Sequence, residues 1–211
     1  MSDMSVLEAS AGSMGAPRRQ PTAGGGAPGS DAGAVTLQFR RAVSLFATGI
    51  VVLSCEEDGR VQGTTVNSFT SVSLAPPTVL VSLTLGASSR RVAREGRYGI
   101  SILDESQQSL SAHFSGKPGA GPPPEFVSRG GVPTLRDSLA WFECEVTEQV
   151  TVHDHILFIA RVLRCGDRAG EPLMYFRSAY HRPQPLLPLL TARPEPGERS
   201  PTPAQEETQP C

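Results

Sequence analysis

TTVNSFTSVSLAPPTVLVSL, residues 64–83, carries enough Val and Leu for a buried strand, yet it is crowded with polar side chains. Thr64, Thr65, Asn67, Ser68, Thr70, Ser71 and Ser73 all fall inside it. Such a run is either a polar turn forced into the fold or the lining of a site for a ligand rich in hydrogen-bonding atoms. Its flanks set the context. Upstream, GIVVLSCEEDGRVQGTTVNSF reads as an apolar strand, an Asp58-Gly59 hairpin turn and a returning strand. Downstream of the Pro76-Pro77 corner, PTVLVSLT is a further short β-run.

The pattern continues on both sides. TLQFRRAVSLFA has helical spacing of Leu37, Val43, Leu45 and Phe46, an amphipathic entry helix stopped at Gly49. SSRRVAREG reads as a brief helix capped by Ser88 or Ser89 and closed by Gly96. RYGISILDE is a strand, and SQQSLSAHFSG a second short helix with Ser106 as its cap. GKPGAGPPPEFVSRGG reads as a Gly/Pro-rich loop. LAWFECEVTEQVTV, HILFIARVLRCGD and PLMYFRSAYH then alternate in period two. Many short strands with a few small flanking helices predict a mainly β fold, a Greek-key barrel and not a doubly wound sheet.

The chain of 211 residues divides into a leader (1–34) rich in Gly, Ala and Ser, a folded body (35–183) and a Pro-rich tail (184–211). Both ends are expected to be flexible, because they hold too few large apolar side chains to offset the entropy of ordering. Leu186, Leu187, Leu189 and Leu190 are the exception, and read as a short strap. A net charge of −2 with no basic cluster argues against a nucleic-acid partner. No apolar run reaches the length of a membrane span and no signal sequence is evident, so the expectation is a cytoplasmic protein off the membrane. The four cysteines show no zinc spacing. Neither a dinucleotide-binding glycine fingerprint nor a P-loop occurs, so any nucleotide is held some other way.

Taken in order, FRRAVSLFATGIVVLSCEEDG, GTTVNSFTSVSLAPPTVLVSL, SQQSLSAHFSG, GVPTLRDSLAWFECEV, HDHILFIARV and PLMYFRSAYH resemble the blocks of flavin reductase-like proteins with the FMN-binding split barrel. The resemblance implies a homodimer of split barrels that binds FMN or FAD. It further implies hydride uptake from NADH or NADPH and release of reduced flavin to a partner monooxygenase. On the same resemblance Thr65, Val66, Asn67 and Ser68 border the flavin ring and its ribityl chain, with Ser82 and Leu83 on the neighbouring strand. Ser88 and Ser89, at a helix start, would face the phosphate. Ala112, His113, Phe114 and Lys117 match a block that approaches the same end.

His155 matches a histidine expected near the nicotinamide, with Asp154 orienting its ring. His153 and Tyr180 would lie on that side too. Position 153 is His where the family usually has Gly. Residues two apart on a strand share a face, but two histidines do not specify a metal site, and none is expected. The substitution does motivate a second reading: a split-barrel enzyme turned to non-redox chemistry on a polycyclic or polyketide-like substrate, with His153 and His155 as acid and base. A non-catalytic flavin-binding module is the third.

Overall fold

The computed structural model describes residues 29–117 and 121–184, with side chains described from residue 33. The expected Leu186–Leu190 strap lies outside the described residues. The chain enters through α1 (Gly29–Val43), which begins inside the stretch read as leader and ends well before Gly49. Ser44 closes it by donating its hydroxyl to the Arg41 carbonyl (2.7 Å). A two-residue strand, β1 (Thr48–Gly49), follows.

β2 (Val51–Glu57) and β3 (Arg60–Val66) form the first hairpin. Asp58 and Gly59 turn it with φ of 51° and 72°, the left-handed pair that matches the twist of two strands. β4 (Thr70–Leu74) returns through a cis Ala75-Pro76 bond into β5 (Pro77–Thr84). α2 (Ala87–Glu95) starts at Gly86 in place of either serine: the Gly86 N–H donates to Ser89 Oγ (2.9 Å). It closes at Gly96, whose φ of 68° suits a residue without Cβ.

β6 (Arg97–Ile102) leads to a single 3₁₀ turn, Glu105–Gln107, and on into α3 (Gln108–Phe114). The cap there is Asp104 and not Ser106. Its carboxylate accepts both the N–H (2.9 Å) and the hydroxyl (2.7 Å) of Ser106. The end of the Gly/Pro-rich segment read as loop is β7 (Phe126–Arg129), which pairs with β8 (Val132–Leu135) just beyond it in a hairpin turned by the left-handed Gly130 and Gly131. The long β9 (Ala140–Val152) and β10 (His155–Asp167) pair next, followed by β11 (Met174–Phe176) and β12 (Ala179–His181).

Seven of these strands form one antiparallel sheet in the order β3-β2-β6-β9-β10-β5-β4. Its two edge strands, β3 and β4, are consecutive in the chain and separated only by Asn67, Ser68 and Phe69. A connection so short brings both edges to one corner, so the sheet curls into a barrel split at that corner. A smaller sheet, β1-β11-β12, stands beside it.

Period two along β2 feeds two cores. Val51, Leu53 and Cys55 face the barrel interior with Val66, Val81, Leu83, Tyr98, Cys144 and Phe158, and Val92 of α2 joins them. Ile50 and Val52 face outward, where Leu103, Phe114, Leu135 and Leu173 cover them. β2 is therefore buried on both faces, which explains its unbroken apolar reading.

Candidate functional site

The corner where the barrel splits is where the hydroxyl-rich stretch turns. Two of its hydroxyls hold the fold together. Thr65, 3% exposed, donates its hydroxyl to the Ser111 carbonyl of α3 (2.8 Å). Ser68 donates to the Ser82 carbonyl (2.7 Å) and accepts the Ser82 N–H (3.1 Å), fastening the corner to β5. Val66 and Leu83 point into the barrel core, so only their backbone is available to a ligand.

Asn67 stands between these ties in the bend of the chain. Its side chain lines a narrow cleft of about 30 Å³ with Phe46, Thr48, Tyr175, Arg177 and Ser178. Tyr180 donates its hydroxyl to Ser111 Oγ (3.0 Å) and lies edge-on to Tyr175, 5.7 Å between ring centres. It also lines a polar cavity of about 660 Å³ with Glu105, Ser106, Gln108 and His181. α3 is thus held against the corner from both sides, by Thr65 and by Tyr180.

Past Ser82, β5 runs into the start of α2, where Ser88 and Ser89 are buried. The β9–β10 turn closes over this end, with the Leu85 N–H donating to the Asp154 carbonyl (2.8 Å). His155 pairs in register with Thr84. Its Nδ1 lies 2.9 Å from Asp154 Oδ1, and its Nε2 is buried with no hydrogen-bond partner. That hydrogen bond holds the Asp154 carboxyl below the usual aspartate range. A buried imidazole nitrogen without a partner is costly unless a ligand supplies one.

The structure therefore gathers Ser68, Ser82, Leu83, Ser88, Ser89, Asp154 and His155 along one path, from the corner to the α2 start. Ala112, His113, Phe114 and Lys117 lie at the far end of α3, where the exposed His113 meets the Phe114 ring edge-on at 4.8 Å. Phe114 is engaged in packing, with its ring over Gly63 of β3. His153 takes a left-handed φ of 51° in the β9–β10 turn, so it does not share a strand face with His155. No cluster of three metal-ligating side chains occurs among the described residues.

The sequence reading missed Thr48 and Arg177. Thr48 Oγ1 is buried in the cleft without a partner. Arg177 and Ser178 form the β11–β12 turn with φ of 49° and 60°, both left-handed and neither glycine. The only signal in the sequence was the short YFRSAYH repeat of apolar pairs, which lacks the Asn-Gly or Asp-Gly that marks such a turn.

A mixed wall of hydroxyls, backbone groups, an orphaned imidazole nitrogen and a helix N-terminus suits a ligand with an apolar ring, a polar edge and a phosphate. Residues 43–184 match the model of the flavin reductase like domain. The chain belongs to this family. Its relatives include the NADH-dependent flavin reductase StyB of Pseudomonas fluorescens, 56% identical over 154 residues, which span 70% of this chain and 91% of that protein. The styrene monooxygenase flavin reductase from Pseudomonas putida superposes with a TM-score of 0.66 at 55% identity, covering 70% of this chain and 99% of the other. Flavin reductase PheA2 in its native state gives 0.67 at 36% identity over 71% of this chain and 98% of its own. In this family context the seven-stranded curl is the split barrel expected from the sequence.

Proposed function

We propose that the protein is an NADH-dependent flavin reductase that delivers reduced FMN or FAD to a separate monooxygenase. The observation that carries this reading is His155, with one nitrogen fixed by Asp154 and the other buried and unpartnered at the end of the groove. The fit to a flavin is chemical. At the corner the backbone groups of Val66 and Leu83 are what remain for the polar edge of a ring, because Asn67, expected there, lines the cleft instead. The α2 N-terminus offers free N–H groups and the positive end of a dipole to its phosphate, with Ser88 and Ser89 beside them.

When bound, a flavin supplies the acceptor for the two electrons of a hydride. The chain's contribution is position. His155 Nε2 meets the carboxamide of the dihydronicotinamide, and Asp154 fixes which nitrogen does so. Holding two flat rings in contact supplies most of the acceleration for a transfer that needs no protein acid. The non-redox alternative is disfavoured, since the left-handed His153 turns away from the strand face it would need.

We further propose that the functional unit is a homodimer acting in the cytoplasm, where NADH is at hand. Phe39 (65% exposed), Phe46 (75%) and Leu74 (91%) leave more apolar surface open than a monomer favours. Leu74 also lies on the sheet edge.

The deciding experiment follows the flavin absorbance band anaerobically after NADH is added to protein with FMN, then FAD. Bleaching well above the protein-free rate is expected. His155→Ala should slow it about tenfold or more, the cost of one lost buried hydrogen bond, with flavin affinity little changed. Bleaching no faster than free flavin would overturn the reading.

A further inference from the structure

The cleft on the other side of Asn67 is not needed by the flavin path just described. The two neighbours in the β3–β4 bend have different surroundings: Ser68 is tied to Ser82, and Asn67 lines the cleft with Thr48, Tyr175 and Arg177. The Ser68 side and the α2 start share none of the residues that line this cleft. Three features mark it as built for a polar ligand. Thr48 Oγ1 is buried there and unpartnered. Arg177 is exposed at the mouth, its guanidinium resting on the Phe176 ring at 5.2 Å and engaged in no carboxylate pair among the described residues. The turn that carries it holds two side chains in a left-handed conformation, an arrangement that persists only where the surroundings impose it.

The surroundings do impose it. The Arg177 N–H donates to the Ser44 carbonyl (2.9 Å), pinning the turn to the end of α1. Thr48 and Tyr175 are paired in register, so the hydroxyl and the turn move as one piece.

From this geometry we infer that Arg177 is a specificity-determining residue that receives the pyrophosphate of the pyridine dinucleotide, with Thr48 and Asn67 taking hydroxyl or amide groups of the same molecule. The inference rests on the flavin reductase reading. A cleft this narrow admits a single polar group, so the ring of the donor stays outside it and its charged linker crosses the mouth. A planar guanidinium fits two phosphate oxygens at once. This deepens the choice of donor, because recognition then depends on the phosphates and not on the nicotinamide alone.

The test compares NADH with 1-benzyl-1,4-dihydronicotinamide, a hydride donor that has no phosphate. Arg177→Ala and Arg177→Gly are both made; glycine suits the left-handed φ of this position, and circular dichroism checks that each variant is folded. Both should raise KM for NADH about tenfold, with KM for flavin held and the benzyl donor affected less than about twofold. Arg177→Lys should recover part of the loss, since it keeps the charge without the fork. An unchanged KM for NADH in Arg177→Gly, or a rise in flavin KM in its place, would overturn the assignment. If the unaltered protein oxidises neither donor, the flavin reductase reading itself has failed, and the two failures are told apart.

Discussion

Cys55 and Cys144 sit in the wall of the barrel core, and burial pushes their thiols up to about 11 and about 12. A thiol held so far above neutral is almost wholly protonated, and the thiolate is the reactive form. Cys165 is exposed on β10. Brief alkylation of the native protein at pH 8, read peptide by peptide by mass spectrometry, should label Cys165 and leave Cys55 and Cys144 unmodified until denaturant is added. Labelling of Cys55 at the same rate would mean that the barrel opens readily. Burial of this kind was legible in part: Cys55 closes the apolar run of β2, but that Cys144 faces the same core follows only from its pairing with Tyr98. The opposite fates of Ser68 and Asn67 were not legible either. Both are small polar residues in one turn, and only the neighbouring strand decides which of them closes the fold and which faces the cleft.

At the scale of elements, the β7–β8 hairpin is the instructive piece. Its β8 lies across β2 and β6: the Ser54 hydroxyl donates to the Pro133 carbonyl (2.6 Å), and the Leu135 N–H donates to Ser101 Oγ (2.9 Å). Gly99 makes this approach possible, because a Cβ there would collide with the Pro133 carbonyl and the Thr134 methyl. Gly99→Ala should therefore lower stability by about 1–3 kcal/mol, seen as a reduced Tm with the same β-rich circular dichroism. A Tm within about 1 °C of the unaltered protein would show that β8 lifts without strain. The sequence reading took EFVSRGG as loop because glycines and prolines dominate that region. What made it a hairpin is the pair Gly130-Gly131 in left-handed conformation, with an apolar partner face already waiting on β2. The strands of the main sheet were easier to read, since alternation spans the whole of β5 and the middle of β10.

For the whole molecule, several of the most open apolar groups lie on or just after α1 and on the sheet edge, with Val35, Phe39 and Phe46 at one place and Val72 and Leu74 at the other. A second copy that covers them would bury a charge placed at Leu74. On the proposed homodimer, Leu74→Glu should accordingly shift the equilibrium towards monomer in analytical ultracentrifugation, and a dimer of unchanged affinity would remove β4 from the interface. The sequence by itself determined the strand-rich class, the order of the main strands and the family, because alternation, turn residues and ordered blocks are local properties of the chain. The tertiary structure alone decided which polar side chains are engaged inside the fold and which are left open. Thr65 and Ser68 satisfy carbonyls from α3 and β5, whereas His155, Thr48 and Arg177 are left facing the groove and its cleft. The physical reason is that a hydroxyl or an imidazole nitrogen binds whichever partner the fold brings within about 3 Å, and those partners lie on distant parts of the chain.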